Sequence, residues 1–112
     1  MQQDKVLSMI SLATKAGKTV SGEFSVEKAV KEKKAVLVIV SSEASDNTKK
    51  MFKNMCDYYK VPLYFYGTKE ALGHFIGKEY RASLALTDAG LANAVVKQLT
   101  NANVARSNAE QI

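Results

Sequence analysis

Ala35-Val36-Leu37-Val38-Ile39-Val40 is the longest unbroken apolar run in the chain, and its reading decides the fold. Four of its six residues are β-branched, and such a run fits a strand buried on both faces, the central kind in a sheet sandwiched by helices. It is far shorter than the roughly 20 apolar residues that cross a bilayer. On its N-terminal side, Val26, Ala29 and Val30 recur at helical spacing with lysines on the other face, and Gly22-Glu23 opens that helix. Thr19-Val20-Ser21 reads as a short strand before it. Val6, Ile10 and Ala13, widened by Leu7 and Met9, give a first helix, capped by Asp4 and ended by Gly17.

On the C-terminal side, Ser41–Asn47 is a polar loop supplying the caps Ser45 and Asp46. A third helix follows and is expected to bury Met51, Met55, Cys56 and Tyr59, until Val61-Pro62 stops it. Leu63–Tyr66 is a third strand, and a short helix around Leu72 follows, with Gly73 and Gly77 expected to loosen its end. Ala82–Thr87 is a fourth strand; Leu91, Ala92, Val95, Val96 and Leu99 stripe a last helix. Beyond Thr100 the chain turns Asn- and Ala-rich, and the expectation for residues 100–112 is a frayed tail. Helix and strand alternate throughout, which predicts a mostly parallel sheet covered on both faces, a small three-layer α/β/α sandwich in a single domain over residues 1–112.

Composition narrows the function. The 112 residues are 46% hydrophobic, enough for a core, and carry 16 Lys and Arg against 11 Asp and Glu, for a net charge of +5. Surplus cations favour an anionic partner, although 14 of the 16 are lysines and scattered lysines also make a solvated surface. The lone Cys56 has no disulfide partner, and no Cys/His cluster holds zinc. The polar Met1–Lys5 start leads into no signal-like apolar segment, so the expectation is a cytoplasmic protein without a membrane partner.

No chemistry announces itself. The Val20-Ser21-Gly22-Glu23-Phe24 junction lacks a dinucleotide fingerprint, and Glu23 would repel a pyrophosphate. No phosphate-binding glycine loop appears, His74 is solitary, and the acids show no metal-ligand spacing. The expectation is a non-enzyme needing no cofactor. What remains is basic and local. Lys15 and Lys18 bracket Gly17. The start of the second helix at Gly22 offers free amides to an anion, with Lys28 and Lys31 following it. Tyr80 sits between Lys78 and Arg81 in a polar loop, where phosphate contact and base stacking combine. Tyr64 and Tyr66 share a strand face and read either as packing under a helix or as a stacking surface.

Several stretches together resemble one superfamily in order: Lys15-Ala16-Gly17-Lys18-Thr19-Val20-Ser21-Gly22, Lys28-Ala29-Val30, Lys33–Ile39 and Leu72-Gly73-x-x-Ile76-Gly77-Lys78-x-Tyr80-Arg81. They are similar to the kink-turn RNA-binding ribosomal proteins of the archaeal "seven-Ae" and eukaryotic "thirty-e" types. Tyr58-Tyr59-Lys60-Val61-Pro62 and Thr87-Asp88-x-Gly90 add a likeness to the bacterial YlxQ-like branch. The resemblance spans about Lys5 to Leu99. It implies a four-stranded mixed sheet and a non-catalytic protein in a ribosome or translation context, and the chain is expected to work as a monomer. Its expected partner is a sharply bent RNA in which a bulge adjoins sheared G·A pairs. The implied contacts come from Gly22, Glu23, Phe24, Ser25 and Lys28, from the Glu43 loop, and from Lys78, Tyr80 and Arg81; Lys18 and Lys31 join them as phosphate contacts. One departure stands out. The family typically carries Asn-Glu where this chain has Phe24-Ser25, and losing a bidentate base contact costs about 1–3 kcal/mol of discrimination by analogy with DNA. The alternative is a protein-interaction adapter of the same fold, with Phe24 as its anchor.

Overall fold

The computed structural model describes residues 4–108. Five helices and four strands alternate: α1 (Lys5–Lys15), β1 (Thr19–Ser21), α2 (Glu23–Lys31), β2 (Leu37–Val40), α3 (Asp46–Tyr59), β3 (Leu63–Phe65), α4 (Lys69–Phe75), β4 (Ser83–Leu86) and α5 (Ala89–Asn101). Side chains of consecutive strand residues point to opposite faces, and the core divides accordingly. Leu37 and Ile39 join Leu84, Leu86 and the stripes of α1, α4 and α5 in one layer. Val38 and Val40 join Ala85 and the stripes of α2 and α3 in the other. All four residues of β2 are fully buried, as the apolar run requires. Among the described residues no helix is long and apolar enough to cross a membrane.

The sheet order is β1-β4-β2-β3. Only β2 and β3 pair in parallel, in the register Val38↔Leu63; β4 runs antiparallel to both β1 and β2. The sheet is therefore mixed rather than mostly parallel. The reversal lies in the path of the chain around the seven-residue α4. After it, residues 76–82 fold back along the helix, and Lys78 N–H donates to the Gly73 carbonyl at 2.8 Å. The chain thus re-enters the sheet at the end it left, reversed. Gly73 does not loosen the helix end. It lies inside α4 because the returning backbone crosses it: a Cβ there would sit 2.7 Å from the Glu79 carbonyl.

Two further expectations change. In α3 the fully buried residues are Phe52 and Cys56, whereas Met51, Met55 and Tyr59 are half-exposed along one flank. The chain after α5 is also not frayed as far as it is described. Ser107 N–H donates to the Leu63 carbonyl at 2.7 Å. The buried Asn108 accepts from Leu63 N–H at 2.9 Å and donates from Nδ2 to the Val61 carbonyl at 2.8 Å. Its amide thereby imitates the backbone of a neighbouring strand along the edge of β3. Residues 109–112, the rest of the expected tail, lie outside the described residues.

Candidate functional site

Because β4 is reversed, the ends of β1, β2 and β3 and the beginning of β4 meet at one edge of the sheet. Their connecting segments are laced together by short hydrogen bonds. Gly22 N–H donates to the Ser83 carbonyl at 3.0 Å, and Ser41 N–H to the Ala82 carbonyl at 2.8 Å. The buried Ser41 hydroxyl donates to the Gly67 carbonyl at 2.9 Å and accepts from Glu43 N–H at 3.0 Å. These ties join the loop after β2 to the loops around β3 and β4.

Gly22 adopts φ 91° and ψ 150°, a conformation that side-chain-bearing residues rarely take. It turns the chain from β1 straight into α2 and brings no capping side chain. The other four described helices are each capped by a side chain, Asp4, Ser45, Thr68 or Asp88. The first amides of α2, those of Glu23, Phe24 and Ser25, are left to face outward without intrahelical partners. Glu23, Phe24, Ser25 and Lys28 are all exposed, and Phe24 shows 78% of its surface. Among the described residues no carboxylate pairs with Lys28.

The second wall is the segment entering β4. Arg81 donates from Nε to the Ser21 hydroxyl at 3.1 Å and from Nη1 to the Tyr80 carbonyl at 2.7 Å. That bridge fastens the Lys78–Arg81 loop to the end of β1, beside the open start of α2. Tyr80 stands 62% exposed on this loop rather than folding back on the protein, with Lys78 exposed near it. In the loop after β2, Glu43 is already engaged: its Oε1 accepts from Lys69 N–H at the start of α4, at 3.0 Å. The carboxylate anchors one loop to another.

Gly22, Glu23, Phe24, Ser25, Lys28, Glu43, Lys78, Tyr80 and Arg81 therefore share one end of the molecule. Lys18 does not. It precedes β1, where its carbonyl accepts from Thr87 N–H, at the opposite end of the strand. Lys31 lies in the last turn of α2, its Nζ 2.8 Å from Glu27. That hydrogen bond and charge raise its ammonium above the usual lysine range.

Sequence reasoning missed the serines beneath the site. Ser21 and Ser83 read as strand residues and Ser41 as the start of a polar loop; only the fold brings Ser21 under Arg81 and buries Ser41 and Ser83. Ser83 is buried with its hydroxyl unpartnered among the described residues. Cys56 is buried in the α2–α3 layer, and burial, with the nearby Asp57 charge, pushes its thiol up to about 12, the opposite of an activated nucleophile. Tyr64 and Tyr66 pack beneath the α1–α5 layer, and Tyr66 donates its hydroxyl to Asp4 Oδ2 at 2.7 Å. Their ring faces serve the core. Among the described residues no group of His, Cys, Asp and Glu could hold a metal.

Residues 4–96 match the family described as Ribosomal protein L7Ae/L30e/S12e/Gadd45. The RNA-binding protein YlxQ of Bacillus subtilis (strain 168) is 42% identical over 91 residues, covering 81% of this chain and 91% of the relative. The large ribosomal subunit protein eL30 of Candida albicans is 35% identical over 94 residues, covering 79% and 85%. Among solved structures, a Bacillus halodurans C protein described as of unknown function superposes with a TM-score of 0.84 at 35% identity, over 88% of this chain and 99% of that one. The Giardia lamblia 15.5kD RNA binding protein superposes at 0.73 with 22% identity, over 88% and 85%, a likeness of fold. On the family match and these relatives, the chain belongs to the ribosomal protein L7Ae/L30e/S12e/Gadd45 family.

Proposed function

We propose that this is a non-catalytic RNA-binding protein, monomeric and cytoplasmic, that grips a sharply bent, kink-turn-like RNA in a ribosome or translation context. The carrying observation is the Arg81–Ser21 bridge, which seats the Tyr80 loop beside the uncapped start of α2. Free amides and Lys28 on one side offer donors to phosphate and guanine, while Tyr80 and Lys78 on the other suit an extruded base and its backbone. The relatives named for RNA binding or as ribosomal proteins support the same reading.

Phe24 and Ser25 set its limits. Neither supplies the carboxamide and carboxylate that the resembled family presents to sheared guanines, so shape and backbone carry more of the recognition here. The test is titration of a fluorescent kink-turn RNA against the same RNA with its G·A pairs converted to Watson–Crick pairs. A preference of about tenfold or more for the kinked RNA, about 1.4 kcal/mol, is the expected result; equal, weak binding to both refutes shape-specific recognition. The exposure of Phe24 favours a second reading, an adapter that holds a protein partner through that ring. A Phe24→Asn, Ser25→Glu double variant separates the two: gained kink-turn affinity marks the natural pair as a deficit for RNA.

A further inference from the structure

A groove of about 550 Å³ runs between α2 and α3, outside the site described above. Its α3 wall is one helical face, Asn47, Lys50, Met51, Asn54, Met55 and Tyr58, repeating at steps of three and four residues beside the buried Phe52–Cys56 stripe. Its α2 wall is Glu27 and Lys31, and the same two residues line a second hollow that continues to Lys28 and Phe24. The trough therefore leads from the open start of α2 along the flank of the protein.

Its surface is unusual for a solvated face. Large exposed hydrophobic side chains among the described residues are Leu12, Phe24, Tyr58 and Tyr80. Phe24 and Tyr58 line this trough, whereas Tyr80 lines a separate hollow against α4. Tyr58 is 78% exposed, yet its ring is held edge-on by Tyr59, centroids 4.9 Å apart at 75°, so an incoming ring meets a platform already oriented. The charges point one way. Glu27 is neutralised by Lys31 at 2.8 Å and Glu32 by Lys34 at 3.4 Å, leaving Lys28 and Lys50 without ion-pair partners among the described residues. The rings of Phe24 and Tyr58 with the free lysines Lys28 and Lys50 match the alternation of base face and phosphate along a single strand.

We propose that the α2–α3 groove receives a single-stranded RNA segment continuing from the RNA gripped at the Gly22 end. This rests on the RNA-binding reading above, and the experiment separates the two. The kinked RNA is prepared blunt and, on either strand, with a single-stranded extension of about six nucleotides, within the span such grooves usually cover. Both forms are titrated with the wild-type protein and with Tyr58→Ala and Lys50→Gln, residues outside the Gly22 site. The extension on one strand tightens wild-type binding about tenfold, each variant loses most of that gain, and affinity for blunt RNA stays unchanged. Equal wild-type affinity for blunt and extended RNAs overturns the groove assignment alone and leaves the trough to a protein partner. A gain that survives both substitutions overturns it as well. Failure to bind either RNA refutes the proposed function, and the groove assignment falls with it.

Discussion

Gly73 shows how one missing carbon shapes the site. The backbone of Glu79 and Tyr80 crosses the helix where a Cβ would stand, 2.7 Å from the Glu79 carbonyl and 2.8 Å from Tyr80 N. Those neighbours are backbone atoms that cannot rotate away. Gly73→Ala should destabilise the protein by about 1–3 kcal/mol, as overpacking does, and displace the loop carrying Tyr80. A lowered thermal midpoint together with weakened RNA binding is the expected pair of readings. Cys56 offers a pH-dependent counterpart. Burial raises its thiol from 9.0 to about 12, so the folded state holds the proton more tightly than the unfolded chain. The corresponding stability is intact below about pH 9 and is lost as pH rises toward 12. Tyr66, raised from 10.0 to about 12 by burial and its hydrogen bond to Asp4, acts in the same sense. Thermal unfolding followed from pH 8 to 11.5 should fall more steeply for the wild type than for Cys56→Ala, and a parallel pair of curves would refute the assignment.

Among the elements, the segment after α5 contributes more than its composition suggests. Asn108 satisfies both Leu63 N–H and the Val61 carbonyl at the open edge of β3, and Arg106 Nε holds the same Oδ1 at 3.0 Å. Asn108→Ala strands these two backbone groups, for which no other side chain among the described residues substitutes. Its expected cost is about 1–3 kcal/mol, seen as a lower denaturant midpoint with the slope unchanged. A midpoint equal to wild type would mean that water serves the edge as well as the asparagine does. The reversal of β4 belongs to this scale too. A seven-residue α4 followed by a backtracking loop is what places Tyr80 and Gly22 at the same end.

At the scale of the whole molecule, the proposed function puts the net charge of +5 to use where Lys28, Lys78 and Arg81 stand by the open amides of α2. Neutralising about three to five phosphates gives log K against log salt a slope of about −2 to −4.5. That slope is measured by repeating the RNA titration from low to moderate salt. Binding indifferent to salt would count against a phosphate-gripping surface and in favour of a protein partner held through Phe24.

Periodicity, bounded by cap, glycine and proline signals, was enough for the helices, the strands and their order, although in α3 it pointed to the half-exposed Met51, Met55 and Tyr59 and passed over the buried Phe52. Apolar residues at steps of three and four can only be buried together on a helix, and a β-branched run bounded by polar turns fits little but a covered strand. The resemblance in Lys15–Gly22 and Leu72–Arg81 carried the mixed sheet and the functional class. Residue spacing did not carry strand direction, because alternation is equally compatible with parallel and reversed pairing; the packing of Glu79–Tyr80 on Gly73 settled it. Nor could one dimension tell that Lys18 and Gly22 sit at opposite ends of β1, that Glu43 is engaged by Lys69, or that Phe24 faces solvent while Phe52 does not. Each of those depends on which distant backbone arrives beside a side chain, and that is a property of the folded chain, decided by contacts between residues far apart in sequence.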